Sequence, residues 1–533
     1  MRIARTPPAS CPSATRARPR FPLVVQTGLL LLAVALGFFI HQQGWHRPVE
    51  GFLRLVGRDP ASAVTALLRP STPPTLTVDM RFRDYQRLVG QRDRALRQTA
   101  SVATDQEYVP ATLGCSGASV SVQMRLPSGP AGLFAGDAWP FELVLEGDLS
   151  ALGLTSHHLT LTPADTTTLS TWGRLETSRR AGVLTPRYLL VRLRLNGSDR
   201  GLYALEETPD AAWLAAQGRG GEVLVAYDTT AYWQARAELG DALPGGGFQY
   251  ARPVALWPLS PDLTADAAVH ALEALQAGER APSEVLEVER MADLLAITAL
   301  WRGAPELDWR TLRLACDPVS ARCAPIAAGT AFTPTASLPE FLTDDPVLQV
   351  ATVRALARFS DPGYLAQLRA DLEPDVESLR LALGVSSSNL EGPWPALETH
   401  QEKMRRLLAP SAPLIAAVES GSAGLTLYLG NPLPFPVEVL SLDLGENSLL
   451  PVAPEWVTAD DRAWLVEASD HVVLRALRNG TLRPVRLRVP ATALPAHWQP
   501  LDESPLEIRV LVRLFGLEEP TVAVIARAVE GSP

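Results

Sequence analysis

The chain has 533 residues, 47% hydrophobic and 20% charged, an ordinary globular composition with room for two or three domains and a good core. Its net charge is −10; five arginines in the first 20 residues supply +5, so the remainder carries −15. No basic stripe remains, which argues against a nucleic-acid partner, and Lys403, the only lysine, excludes a phosphate loop of the GxxxxGK[ST] type.

Arg2, Arg5, Arg16, Arg18 and Arg20 precede an apolar run over residues 23–40. That length is about the minimum for crossing a hydrocarbon core of roughly 30 Å. Cations before the run and few after it put the N-terminus in the cytoplasm and the bulk of the chain outside it, in the periplasm or at the cell surface. A cleaved signal peptide is the rival, but the cleavage-like Ala33-Val34-Ala35 lies inside the apolar run. Residues 1–22 therefore read as a cytoplasmic basic tail, 23–40 as a single-pass transmembrane anchor, and 41–74 as a proline-ended linker.

Beyond the linker a strand is expected over 76–80 and an arginine-rich amphipathic helix over 82–98. Strands and turns alternate over 118–161. Residues 187–195 alternate between apolar and polar, as a strand does. Asn196-Gly197 accept the positive φ of a tight turn, and 201–207 return as the partner strand. Strand alternation lets only one of Glu206 and Glu207 point inward. Helical spacing marks 211–217, 265–277, 284–301 and 345–372, with a break at Asp361-Pro362-Gly363. Pro374 reads as the first turn of one more helix. Residues 384–411 form a linker and a helix. From 412 to 533 short alternating strands predict an all-β sandwich of about a hundred residues.

Cys316 and Cys323 flank what reads as a hairpin loop, and cysteines facing each other there form a disulfide in an oxidising compartment. A metal site is the weaker alternative, since no further Cys or His has ligand spacing. Cys115 is left as a core thiol. His157-His158 reads as an ordinary loop or strand pair.

Asn196-Gly197 followed by Gly201-Leu202-Tyr203-Ala204-Leu205-Glu206-Glu207 resembles the signature strand pair of the CotH kinase family, an atypical branch of the protein-kinase-like fold. Arg187-Tyr188, Arg125-Leu126, Asp308-Trp309 and the stretch from Asp317-Pro318 to Ala324-Pro325-Ile326 follow in the family's order and spacing. The resemblance implies an α+β kinase-like domain over 75–383, ahead of the sandwich. It also implies Arg125, Glu206 and Glu207 near a nucleotide, and Glu306 and Asp308 at the acidic, catalytic end. ATP and Mg²⁺ are the cofactors of an active member.

This sequence departs from the family at several points. Pro127 and Ala138 stand at two lysine positions, Thr311 at an asparagine and Gly329 at the last aspartate, while Glu142 replaces a basic residue. Loss at four positions points to a pseudokinase, a binding or assembly module at the cell envelope with an envelope protein or surface polymer as partner. Two alternatives stand beside it. One is an active phosphotransferase in which Arg125 replaces lysine and Glu206, Glu306 and Asp308 hold metal. The other is a working β-sandwich carried on a kinase-like spacer.

Overall fold

The computed structural model describes residues 73–98, 100–115, 118–147, 154–239, 245–256, 265–302, 307–329, 345–383, 392–421, 423–444, 449–466, 471–477, 482–495, 508–519 and 521–528. The anchor expected over 23–40 lies outside the described residues. Among the described residues no helix is long and apolar enough to cross a membrane, so no transmembrane helix is shown.

The first half is a closed seven-stranded barrel. Its elements are β1 (Thr75–Asp79), helix α1 (Phe82–Arg97), β2 (Val109–Cys115), β3 (Ala118–Arg125), β4 (Phe141–Glu146), β5 (His158–Pro163), helix α2 (Thr168–Arg180), β6 (Tyr188–Leu195) and β7 (Ser198–Thr208). The strands run in the order β1-β2-β3-β4-β5-β7-β6. Closure depends on β1, which pairs antiparallel with β2 and parallel with β6. Period-two alternation fills the interior: in β6, Val191, Leu193 and Leu195 are buried while Arg192 and Arg194 are exposed. Each such buried side chain stabilises by roughly 1.5–3 kcal/mol. Helix α1 adds Leu88 and Ala95 to this core. Its Gln91 accepts from the Leu126 N–H at 3.0 Å and donates to the Glu107 carbonyl at 2.6 Å.

The β6–β7 turn is the one expected. Asn196 has φ 48° and Gly197 φ 76°, so both occupy the left-handed region. The Asn196 Oδ1 also accepts from the Met80 N–H at 2.8 Å, tying the hairpin tip to the exit of β1.

The middle of the chain is a four-stranded antiparallel sheet among helices. It comprises α3 (Ala211–Ala216), β8 (Val223–Asp228), α4 (Thr230–Leu239), β9 (Arg252–Leu256), α5 (Asp266–Gln276), α6 (Val288–Arg302), β10 (Arg313–Cys316), β11 (Cys323–Ile326), α7 (Pro346–Ser360), α8 (Pro362–Ala382) and α9 (Trp394–Leu408). The strand order is β9-β8-β10-β11. Helix α6 is buried on every side from Leu294 to Trp301, as a helix enclosed by others must be. A disulfide joins Cys316 to Cys323, which stand directly opposite each other in the β10–β11 register.

Asp361 ends α7 and caps α8 by accepting from the Gly363 N–H at 2.7 Å. Pro374 does not start a separate helix; it lies inside α8. Its ring forfeits one intrahelical bond, and it sits on the exposed face of the helix.

The C-terminal strands are β12 (Ile415–Gly421), β13 (Gly424–Gly430), β14 (Val437–Asp443), β15 (Leu449–Pro451), β16 (Val472–Leu474), β17 (Val485–Pro490), β18 (Ile508–Leu514) and β19 (Val522–Ala528). They form one eight-stranded sheet in the order β15-β14-β18-β19-β12-β13-β17, with β16 on β14. Parallel pairing of β12 with β19, Ala417 opposite Arg527, joins what would otherwise be two halves.

The expected fold class is thus corrected. Residues 75–208 close into a barrel because β1 pairs along both edges, and the C-terminal strands join into one sheet through the β12–β19 pairing. The molecule is mixed α and β, and neither the expected kinase-like α+β domain nor the separate all-β sandwich is formed.

Candidate functional site

A cleft of about 350 Å³ opens between the outer face of the barrel and the sheet β9-β8-β10. One wall is a cross-strand row. Arg125 on β3 lies opposite Glu142 on β4, Glu142 opposite Thr160 on β5, Thr160 opposite Glu206 on β7, and Glu206 opposite Tyr188 on β6. Alternation puts apolar neighbours such as Leu161 and Leu205 inside the barrel and this row outside it. The facing wall carries Asp228 and Thr230 at the start of α4, with Arg310 and Arg313 beyond them.

Arg125 is engaged at three points. Its Nε donates to Glu142 Oε2 at 2.8 Å, its Nη1 to Asp105 Oδ1 at 3.0 Å, and its guanidinium lies 4.4 Å from the centre of the Tyr108 ring. Burial pushes the Tyr108 hydroxyl up to about 12, against the pull of Arg125.

The two glutamates part ways, as alternation demands. Glu206 faces the cleft and accepts from the Gly329 N–H at 2.7 Å. Burial pushes its carboxyl up to about 7, although Arg313, the Gly329 N–H and Arg174 pull the other way. Glu207 turns inward and is fully buried. Its Oε1 accepts from the Thr155 N–H at 2.6 Å and the Thr155 hydroxyl at 3.0 Å, fixing the loop before β5. Its Oε2 is buried without a hydrogen-bond partner among the described residues.

Asp308 lies behind the cleft, not in it. It is buried and holds Arg310 in a fork, with Nε 2.9 Å from Oδ1 and 3.1 Å from Oδ2. Arg310 in turn donates to the Tyr232 hydroxyl at 3.1 Å and stacks near Trp233. The Thr311 hydroxyl donates to the Asp308 carbonyl at 3.1 Å. Glu306 lies outside the described residues. Tyr203 is buried in the barrel, stacked on Phe141, and Gly201 takes φ 89° in the irregular start of β7. Asn196, Gly197, Gly201 and Tyr203 therefore shape the hairpin that carries Glu206.

The structure brings Arg125 and Glu206 to one cleft but three strands apart, about 14 Å along the sheet at ordinary strand spacing. Among the described residues no group of three or more His, Cys, Asp or Glu is placed to hold a metal ion. Asp308 is engaged by Arg310, and Glu207 Oε1 by the loop before β5.

Sequence reasoning missed several lining groups. Thr160, Thr208, Asp228 and Arg313 all face the cleft, and Arg174 is buried beneath it, its guanidinium donating to the Ala328 carbonyl. Burial pulls Arg174 down to about 10. A signal did exist in β5 and β7: His158, Thr160 and Thr162, and likewise Glu206 and Thr208, place polar residues two apart on one face. His158 lines the cleft, and the His157 ring lies 3.4 Å from Asp210.

No family model matches this chain, and no curated protein matches it either.

Proposed function

We propose that this chain is a binding or assembly module of the cell envelope, with an envelope protein or surface polymer as its partner. The observation that carries the reading is that the groups phosphoryl transfer would recruit are committed elsewhere. Arg125 is pinned between Glu142 and Asp105, Asp308 is closed off by Arg310, and Glu207 holds a loop. Phosphoryl transfer depends on cations and metal-holding acids converging on one phosphate. A separation of about 14 Å between Arg125 and Glu206 does not favour that convergence. The resemblance to the CotH kinase family enters this proposal only as a likeness of sequence motifs, since the kinase-like domain it implied is not formed.

The disulfide between Cys316 and Cys323 supports a place outside the cytoplasm, where such bonds persist. In this reading residues 23–40 tether the chain to the membrane.

Thermal unfolding of the full chain, with and without ATP plus Mg²⁺ or Mn²⁺, tests the reading. No shift at millimolar nucleotide is expected. A ligand at a hundred times its Kd adds about 2.7 kcal/mol of stability. An upward shift that needs both nucleotide and metal overturns the reading in favour of a phosphotransferase.

A further inference from the structure

The cleft has a chemical character that narrows its occupant. Hydroxyls line the barrel wall: Thr160 and Thr208 stand 3.2 Å apart on neighbouring strands, and each keeps capacity for a further bond. Glu206 offers a carboxyl whose Oε1 accepts from the Gly329 N–H. Across the gap Asp228, which also lines the cleft, accepts from the Thr230 N–H at 2.8 Å through Oδ1. Arg313 also lines the cleft; its side chain makes no hydrogen bond or ion pair among the described residues, although its charge acts on Glu206.

Other ligand classes fit this lining less well. Arg125 and Arg310 are each matched by a carboxylate in contact, so the cleft presents no cluster of uncompensated cations for a polyphosphate. An apolar ligand would strand the hydroxyls and carboxyls without partners, which is costly. The barrel wall is closed and offers no free strand edge, so a peptide could extend only β9, the edge strand of the facing sheet. A hydroxyl-rich ligand satisfies each of these groups, because vicinal hydroxyls both donate to carboxylates and accept from guanidinium and threonine. The volume, about 350 Å³, is that of a small-ligand site.

We propose that this cleft binds a saccharide, its hydroxyls bonded by Thr160, Thr208, Glu206 and Asp228 and one ring substituent held by Arg313. The proposal rests on the binding-module reading above and names the surface polymer as a glycan.

The test is an array of neutral and uronate-containing oligosaccharides probed with the full-length chain, followed by calorimetric titration of the best binder. Retention of a glycan is expected, weakened about tenfold or more in R313Q and in the T160V/T208V double variant, with unfolding midpoints unchanged. Preference for the uronate arm assigns a carboxylate to Arg313, and preference for the neutral arm assigns it hydroxyls. Retention of no glycan overturns the proposal, as does binding that neither variant alters. If glycans fail and ATP with Mg²⁺ also gives no shift, the binding-module reading stands with another ligand. A shift needing ATP and Mg²⁺ that R313Q abolishes overturns both.

Discussion

Gly329 and Glu206 occupy one corner of the cleft, and neither leaves the other room. A Cβ at position 329 would meet Glu206 Oε2 at 2.5 Å and Tyr188 Cε2 at 3.0 Å. An aspartate there would add a second carboxylate beside a buried one, which explains why glycine and Glu206 coexist. G329A should cost about 1–3 kcal/mol, read as a lower urea midpoint; an unchanged midpoint would mean that Glu206 moves aside freely. The proton on Glu206 gives a second expectation. In the native chain the carboxyl holds its proton up to about pH 7, against an ordinary value of 4.5. Between those two pH values the native state binds more protons than the unfolded state. Stability should therefore fall as pH rises through that window, by up to about 3 kcal/mol. E206Q should flatten this slope when unfolding is followed from pH 4.5 to 7; a slope that persists in E206Q assigns it to other groups.

Among the elements, α2 and α6 approach closely where Gly173 meets Trp301. A Cβ on Gly173 would strike the Trp301 ring, and the Trp301 Nε1 donates to the Thr177 hydroxyl at 2.9 Å. Gly173 thus serves close approach of two helices, which is why a helix interior carries a residue of poor helix propensity. G173A should lower the thermal midpoint, and W301L should recover part of that loss in the double variant. Equal and additive losses would show that the two positions do not press on each other. The β6–β7 hairpin was legible from residues alone, because Asn196-Gly197 encodes its own backbone conformation. The continuity of α8 was not, because Pro374 is tolerated only through its exposure, a property of packing. Helix α6 was legible as a helix, but its enclosure on every side depends on α2, α7 and α9.

Across the whole molecule, the C-terminal sheet is not a detachable unit. Val437, Val439, Leu442 and Val510 belong to the same continuous buried cluster as Leu295 and Leu300 of α6 and Leu356 of α7. Arg354 of α7 also donates to the Gly516 carbonyl at 3.3 Å. Deleting residues 412–533 should therefore expose core, and the remaining chain should bind a hydrophobic dye and melt well below the full-length protein. Melting at the full-length temperature would show the sheet to be separable. Partner capture by such a truncation would report instability as well as lost contact.

Local chemistry was determined by the sequence alone: strand alternation, the Asn-Gly turn, the helix break at Asp361, and cysteines spaced to meet across a hairpin. These depend on neighbours a few residues away. Tertiary structure decided what depends on distant pairings. The parallel pairing of β1 with β6 closed the barrel, and the pairing of β12 with β19 merged the last strands into one sheet. The same long-range order put Glu206 against Gly329, 123 positions away, and drew Asp308 out of the cleft onto Arg310. Burial set the proton affinity of Glu206, and burial is a property of the assembled fold, not of any short run of residues.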